Sequence, residues 1–263
     1  MRIVVLTGAG ISAESGLGTF RDLDGLWARY RVEDVATPEA YERNPALVHE
    51  LSNHLRRASR EAEPNAAHLA LARLERLHPG EVLLVTQNVD DLHQRAGSAR
   101  VLPMHGEIGR ARCADCGHVW DAPDLMSVAD RCAACGGGRC RPDLVWFGEE
   151  VRFLEEIEAA AGRTDLFVCV GTSGTLYPAA GLMEAARRRG ARTVEINLEP
   201  SGTARDADRL LLGRATETVP AWVEEVLGAD LDSAKICRQP KVGDMNRILS
   251  LPPLKDGASR RLG

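Results

Sequence analysis

A chain of 263 residues with 44% apolar residues can bury a sizeable core, and one large α/β domain with inserted modules would account for its length. The formal net charge is only −5, so the strong positive charge typical of a dedicated nucleic-acid-binding protein is missing. No apolar run reaches the length of a membrane span, and the run at residues 3–6 is too short for a signal-peptide core. We therefore expect a cytoplasmic protein without nucleic-acid or membrane partners.

Four short apolar runs rich in valine, isoleucine and leucine are typical of buried strands. They lie at residues 3–6, 82–85, 166–170 and 193–196. Between them, apolar residues recur about every 3.6 positions, which predicts helices at residues 46–60, 66–78, 151–161 and 179–189. Strands that alternate with helices predict an α/β fold with a Rossmann-like, doubly wound parallel sheet.

Two segments interrupt this alternation. Cysteines, glycines and an Asp/Ala/Pro stretch replace it at about residues 108–141, and a helical pattern without a strand occupies about 28–64. We interpret these segments as a zinc-ribbon module and a helical insertion in one domain spanning 1–227. The Rossmann-like core would then comprise about 1–27, 65–107 and 142–227. Residues 228–263 hold all three lysines of the chain, and this foreign composition predicts a poorly packed tail.

A glycine-rich turn follows the first strand at Gly8-Ala9-Gly10. Such a turn allows backbone N–H groups to approach a pyrophosphate at a helix N-terminus, although a glycine turn without any ligand is the alternative. An ordinary dehydrogenase would also place an acidic residue at the end of a second strand about 20 residues later, and none appears. Instead a long loop continues through Phe20 and Arg21, and we expect it to close over a nicotinamide.

Polar residues follow the later strands where they end. Gln87, Asn88 and Asp90 come after the second strand, and ligands of open α/β sheets bind beyond the carboxyl ends of strands. Asn and Asp are also favoured N-caps, here for the helix beginning near Asp91, so both interpretations stay open. Polar loops recur after the next two strands, at Gly171-Thr172-Ser173 and Asn197-Leu198-Glu199. The repetition predicts one nucleotide crevice.

Two Cys-x2-Cys pairs lie in the cysteine-rich module, with fifteen residues between them, at Cys113, Cys116, Cys132 and Cys135. This spacing is typical of a structural zinc site, and a redox dithiol pair or chance clustering is a much weaker interpretation. Four thiolates leave no open coordination position, so the metal should stabilise structure and take no part in chemistry. The remaining cysteines, Cys140, Cys169 and Cys237, are expected to bind no metal.

His105 stands between Met104 and Gly106, directly before the cysteine-rich module. A histidine there is a candidate general base because its pKa lies near working pH. A purely structural histidine is the alternative that the residues alone leave open.

With these motifs in order, the chain resembles the sirtuin family of NAD-dependent protein deacylases over roughly residues 2–227. The matching segments are GAGISAESG (8–16), TFRD (19–22), GLW (25–27), TQNVD (86–90), HG (105–106), both Cys-x2-Cys pairs, RPDLVWFGE (141–149), GTSGTLYPAAG (171–181) and NLEP (197–200). GISAESG and DGLWARYRVEDVATPEAY most resemble class III sirtuins, the group associated with acidic acyl-lysines.

The resemblance implies that His105 is the catalytic base and that the four paired cysteines hold zinc. It also implies that acyl-lysine proteins bind as extended peptides, by backbone pairing, at Phe147, Gly148, Glu149 and Tyr177. The residues implied to surround NAD are Gly8, Ala9, Gly10, Thr19, Phe20, Arg21, Gln87, Asn88, Asp90, Gly171, Thr172, Ser173, Asn197, Glu199 and Ala215.

In the chemistry that the resemblance implies, the acyl oxygen attacks C1′ of the nicotinamide ribose as nicotinamide leaves. His105 then removes the 2′-hydroxyl proton, the acyl group passes to ADP-ribose, and free lysine is released. Protein mono-ADP-ribosylation and a catalytically silent NAD-sensing module are the alternatives. The presence of His105 favours deacylation over ADP-ribosylation, and the joint presence of Asn88, Asp90 and His105 argues against a silent sensing module.

One motif of class III is missing. Its Tyr-x-x-Arg pair holds the distal carboxylate of succinyl- or malonyl-lysine, and ungapped alignment from Pro64 places Ser52 and Leu55 at those positions. We therefore expect a preference for acetyl-lysine or other uncharged acyl-lysines, because an unpaired buried carboxylate is costly. Arg56 is the alternative clamp, one that would restore desuccinylase or demalonylase activity. An arginine beside Arg57 is, however, expected at the solvated surface.

Overall fold

The computed structural model describes residues 1–19 and 30–228. The predictions for Phe20, Arg21, Cys237 and nearly all of the carboxyl-terminal tail therefore lie outside the described residues.

Two sheets are built from nine strands in these ranges. The strands are β1 (Ile3–Thr7), β2 (Val82–Thr86), β3 (Val101–Pro103), β4 (Gly106–Cys113), β5 (Val119–Asp121), β6 (Cys140–Leu144), β7 (Leu166–Val170), β8 (Arg192–Asn197) and β9 (Arg209–Leu212). Six of them form one sheet in the order β3-β2-β1-β7-β8-β9, and every neighbouring pair is parallel. The four strands predicted from apolar runs are confirmed. The strands β3 and β9 were missed because each is only three or four residues long and half-buried.

Helices cover both faces of the parallel sheet, as the doubly wound prediction requires. They are α1 (Val32–Val35), α2 (Pro38–Arg43), α3 (Pro45–Glu61), α4 (Ala66–Leu77), α5 (Leu92–Arg95), α6 (Leu154–Ala161), α7 (Ala179–Arg188) and α8 (Ala215–Gly228). Alternate strand residues point to opposite faces. Val5 and Val168 pack with α4 and α8 on one face, whereas Leu6 and Phe167 pack with α6 and α7 on the other.

Local signals explain where several helices begin and end. The side chain of Asn44 accepts a hydrogen bond from the Leu47 N–H at the start of α3, where Pro45 is the first helical residue. Asn65 and His68 form a reciprocal capping box at the start of α4. The predicted helix at residues 151–161 begins only at Leu154, because Phe153 has a left-handed φ of 57° that helix geometry excludes.

The helices α1 to α3 lie in the region predicted as a helical insertion, and residues 30–64, the part of it that the structure describes, contain no strand. The strands β4, β5 and β6 form a separate antiparallel sheet that carries the cysteine-rich segment. The division of the chain into catalytic domain and modules stays a prediction. Within residues 1–19 and 30–228, we find no helix with the length and apolar character needed to cross a membrane.

The packing of α4 leads to a stability prediction. Leu74 is fully buried in the core between α4 and the sheet, so Leu74→Ala should lower the free energy of unfolding by about 2–5 kcal/mol. Leu69 lies on the same helix but is 54% exposed, and Leu69→Ala should change stability by no more than about 0.5 kcal/mol. Urea denaturation of both variants measures the difference. Equal losses would contradict this account of the core.

Candidate active site

Loops that leave the carboxyl ends of the parallel strands lie along one edge of the sheet. Of the residues predicted to surround NAD, those at 8–10 follow β1, those at 87–90 follow β2, those at 171–173 follow β7, and Asn197 and Glu199 lie at or after the end of β8. His105 follows β3, and Ala215 opens α8 just after β9. Parallel strands present their carboxyl ends on the same side, so the topology brings these loops together.

The loops after β1 and β7 touch through their backbones. The Gly10 N–H donates to the Gly171 carbonyl at 2.8 Å, and the Gly8 N–H donates to Val170 at 2.9 Å. A Cβ atom on Gly10 would lie 2.7 Å from the Gly171 Cα, and one on Gly171 would lie 2.5 Å from the Ile11 nitrogen. These glycines are therefore required first for loop–loop contact, and the Gly8 and Gly10 amides are already engaged within the protein.

Ser12 is the centre of a buried polar network beside the turn. Its hydroxyl accepts from the Asn88 side-chain amide at 3.1 Å and donates to Asp90 Oδ2 at 3.0 Å. His68 Nε2 lies 3.4 Å from the same hydroxyl, while its Nδ1 accepts from the Asn65 N–H. The proton of His68 is therefore on Nε2, directed at Ser12. This arrangement orients both Asn88 and Asp90.

Burial keeps the histidines behind this network uncharged. It lowers the pKa of His68 to about 4 and that of His93 to about 3. Burial also raises the pKa of Asp90, although hydrogen bonds from the Leu92 N–H and the Ser12 hydroxyl oppose that shift. The bond to Leu92, at the start of α5, shows that Asp90 also stabilises a helix terminus. Asp90 therefore stabilises the start of α5, and its role in binding a nucleotide stays a prediction.

His105 is held by its backbone and by one ring nitrogen. Its carbonyl accepts from the Val145 N–H at 2.9 Å, and its Nδ1 lies 2.9 Å from the Gln87 carbonyl oxygen. A carbonyl can only accept, so Nδ1 carries the proton and Nε2 keeps a free lone pair. Burial lowers the pKa of His105 below its usual 6.5, against the opposing effect of the bond to Gln87. The ring is therefore neutral at pH 7 and can accept a proton.

Gln87 and Asn197 connect three of the loops. The Gln87 side-chain amide donates to Thr172 Oγ1 at 2.8 Å, and the Asn197 amide donates to the Thr172 carbonyl at 2.8 Å. Thr172 is thus fixed from both sides, by residues at the ends of two other strands. Gln87, Thr172 and Asn197 therefore form one connected edge, with His105 attached through the Gln87 carbonyl.

The segments expected to clamp a peptide are turns in this structure, although the resemblance compares them with strands. Phe147 and Tyr177 are exposed, by 43% and 79%. Glu149 directs its carboxylate inward, where it accepts two hydrogen bonds from Arg141 and one from the Trp146 N–H. The guanidinium of Arg141 also lies 3.3 Å from the centre of the Trp146 ring. Glu149 therefore shapes the turn that displays Phe147 and Gly148.

The four paired cysteines form one cluster whose sulfur atoms all lie within 4.8 Å of one another. Cys113 and Cys135 are 3.7 Å apart, as are Cys116 and Cys132. A tetrahedral site with zinc–sulfur bonds of about 2.3 Å places its sulfurs about 3.8 Å apart. The cluster therefore fits a zinc ion with all four positions filled by protein. Cys140 and Cys169 lie outside it.

Arg56 contradicts the expectation that it lies at the solvated surface, since it is 1% exposed. Its Nε donates to the Ile108 carbonyl, one terminal nitrogen to Asn53 Oδ1 and the other to Met126 Sδ. Each guanidinium nitrogen is thus engaged where α3 meets the zinc module. Burial and the neighbouring Arg60 lower the pKa of Arg56 to about 10, so it remains charged at pH 7.

The two positions of the missing clamp are Leu55, which has apolar neighbours, and Ser52, which is buried. Leu55 is half-buried against the cluster formed by Val35, Ala36, Ala40, Tyr41, Val48, Leu51 and Trp146. Leu144 packs against the same cluster and pairs with Gly106, the residue after His105, in the antiparallel sheet. Ser52 is buried, and its hydroxyl donates to the Val48 carbonyl within its own helix. Neither side chain offers a cation.

Ser12 and His68 are site residues that the sequence analysis did not single out. The position of Ser12 directly after the glycine turn could have marked it as a candidate. His68 had a weaker signal, a histidine on the buried face of α4. Their contact spans 56 residues of chain, so only the tertiary structure shows that they meet.

Comparison with known proteins agrees with this architecture. The sequence profile of the Sir2 family matches residues 8–178. An NAD-dependent protein deacylase of Caulobacter vibrioides is 52% identical over 231 residues, which are 86% of this chain and 97% of the relative. A crystal structure of a Sir2 homologue with NAD aligns with a TM-score of 0.81 at 39% identity, covering 87% of this chain and 90% of that one. Sir2Af2 bound to a myristoylated histone peptide aligns with a TM-score of 0.69 at 37% identity, covering 89% and 93%.

The cysteine cluster leads to a prediction about metal content. We expect one zinc per chain, and Cys132→Ala should lose the metal and lower the Tm, because structural zinc contributes folding free energy. Cys169→Ala is the matched control, since it removes a buried thiol from β7 outside the cluster. That control should keep one zinc whatever its Tm. Mass-spectrometric metal analysis decides the matter, and a metal-free protein of unchanged Tm would contradict the zinc assignment.

Proposed function

The chain belongs to the Sir2 family and is an NAD-dependent protein deacylase, and we propose that it removes uncharged acyl groups, above all acetyl, from lysine side chains. The observation that carries this proposal is the apolar environment of Leu55, where class III sirtuins have a carboxylate-binding arginine. A distal carboxylate placed against that cluster would lose its water without gaining a partner.

The proposed NAD site is the polar edge formed by the loops after β1, β2, β7 and β8. Its support is the set of contacts that joins Ser12, Asn88 and Asp90 on one side and Gln87, Thr172 and Asn197 on the other. NAD supplies the activated ribose carbon to which the acyl oxygen is transferred. Thr19, Phe20, Arg21, Glu199 and Ala215 belong to this proposed site through the family resemblance.

The proposed catalytic base is His105. Its free Nε2 lone pair and lowered pKa suit proton removal from a ribose hydroxyl at neutral pH, because a base must be unprotonated before it acts. The bond from Nδ1 to the Gln87 carbonyl fixes the tautomer and stabilises the positive charge that the ring gains. Gln87 would thus link cofactor contact and proton transfer.

Arg56 is a poor replacement for the missing clamp. All three of its nitrogens already donate hydrogen bonds at the junction with the zinc module. Turning the guanidinium toward an acyl carboxylate would break these bonds and leave the carbonyl of the buried Ile108 without its partner. The structure therefore favours deacetylation over desuccinylation.

For protein partners we propose acyl-lysine segments bound in extended form at the exposed Phe147-Gly148 turn and beside Tyr177. Backbone pairing of this kind tolerates many sequences. A reducing compartment such as the cytoplasm suits the protein, because its metal ligands must remain thiolates.

The role of His105 can be tested by substitution. His105→Ala should lose nearly all deacetylation, by about 100-fold or more, while the Kd for NAD stays within about threefold, because the base acts after NAD has bound. The control His54→Ala removes an exposed histidine from α3 and should keep full activity. The measurements are peptide turnover and calorimetric binding. Robust turnover by His105→Ala would refute the assignment.

Acyl preference can be tested on one peptide carrying either acetyl- or succinyl-lysine. The unmodified enzyme should favour the acetyl form by about tenfold or more in kcat/KM. Leu55→Arg, alone and with Ser52→Tyr, should raise kcat/KM for the succinyl form by about tenfold, because it supplies a bidentate carboxylate partner.

The matched control His54→Arg adds the same charge at an exposed site on α3 and should not change the preference. If the unmodified enzyme favours the succinyl peptide and Arg56→Lys abolishes that preference, then Arg56 is the clamp and the proposal is wrong.

A further inference from the structure

Glu195 is a fully buried acidic residue in the middle of β8, between Val194 and Ile196. An acidic residue at such a position requires an explanation, because burying a carboxylate is costly unless it is hydrogen-bonded. Cys169 lies opposite Glu195 on the neighbouring strand β7. Burial, together with the Glu195 carboxylate, raises the pKa of the Cys169 thiol.

The groups that donate hydrogen bonds to the Glu195 carboxylate lie in the loop that follows its own strand. Its Oε1 accepts from the Ser201 N–H at 2.8 Å, and its Oε2 accepts from the Ser201 hydroxyl at 2.8 Å and the Thr203 hydroxyl at 3.1 Å. The two hydroxyls also lie 2.9 Å from each other. The carboxylate therefore folds residues 201–203 back over the end of β8.

That folded segment lies directly against the loop after β7. The Gly202 N–H donates to the Ser173 carbonyl at 3.1 Å. Gly174 has a φ of 65°, and a Cβ there would lie 2.7 Å from the Thr203 nitrogen and 2.9 Å from the Ser201 hydroxyl. The two segments are in close contact, so a shift of residues 201–203 toward Gly174 would clash with it, and a shift away would break the hydrogen bond to Ser173.

We propose that Glu195 is a positioning residue for NAD: its carboxylate holds residues 201–203 against Gly174 and thereby sets the loop that carries Thr172 and Ser173. This inference rests on the proposed NAD site. Thr172 is in turn bonded to Gln87, whose carbonyl receives Nδ1 of His105. Glu195 thus acts on cofactor binding through the loops and touches no reacting atom.

The test uses near-isosteric variants of both partners. Glu195→Gln keeps the volume but places an amide where Ser201 and Thr203 donate, and Thr203→Val removes one donor. Both should raise the KM for NAD and the Kd for ADP-ribose, Glu195→Gln by about tenfold and Thr203→Val by less. The kcat at saturating NAD and the KM for an acetyl peptide should stay within about twofold, since only cofactor binding is affected. The double variant should lose less than the product of the single losses, because the two residues share a contact.

Thr193→Val is the matched control. Thr193 is buried on the same strand, and its hydroxyl donates to the Asp206 carbonyl and to Asp208 and not to residues 201–203. Removing the Thr193 hydroxyl in this control should lower the Tm and leave the KM for NAD unchanged. If Glu195→Gln behaves in the same way, Glu195 is merely structural and the inference is wrong. Should Glu195→Gln fail to fold, an unchanged KM for NAD in Thr203→Val would overturn it equally.

Asn197→Ala separates this inference from the proposed site. If Asn197→Ala weakens ADP-ribose binding but Glu195→Gln and Thr203→Val do not, the NAD site stands and the positioning role fails. If Asn197→Ala leaves binding unchanged, the proposed NAD site itself is wrong, and the inference falls with it.

Discussion

The loops after β1 and β7 approach each other so closely that glycine is required at the contact. Gly8 and Gly10 meet Gly171 at distances where a Cβ would overlap backbone atoms, and hydrogen bonds between the two loops hold them there. Because the two strands are neighbours in a parallel sheet, this contact sets the spacing of the polar residues that follow each strand. Ser12, Thr172 and their partners occupy fixed positions relative to the sheet as a result.

Around this contact, specific hydrogen bonds hold the buried polar side chains. Carbonyl or backbone N–H partners determine the tautomers of His68 and His105, and burial keeps both rings neutral near pH 7. Low polarity around such a network makes each hydrogen bond stronger and each missing bond more costly. The proposed NAD site is therefore held by hydrogen bonds between its loops, and the proposed base beside it is neutral.

The helical insertion and the zinc module stabilise each other through α3. Arg56 and Asn53 bind backbone and side-chain atoms of the module, and Tyr41 donates to the Cys140 carbonyl from the neighbouring helix. A buried arginine is tolerated only when its donors are satisfied, so the residue is committed to this junction. The same helix presents Leu55 to the apolar cluster that includes Trp146, so α3 carries both the junction with the module and the residue on which the proposed acyl preference depends.

The sequence by itself determined the fold class, the four central strands, the zinc ligands and the candidate base, because each depends on local patterns of burial, spacing or motif order. The apolar run at β7 and the two Cys-x2-Cys pairs are signals of this kind. Only the tertiary structure decided that Arg56 is buried, that Glu149 points inward, and that Glu195 holds residues 201–203. The burial of Arg56 depends on a partner distant in the chain, the Ile108 carbonyl. The other two outcomes depend on how a short segment folds back on itself, which brings Glu149 to Arg141 and Ser201 to Glu195. No local pattern encodes such contacts, since whether a charged side chain is solvated or buried is decided by what packs around it.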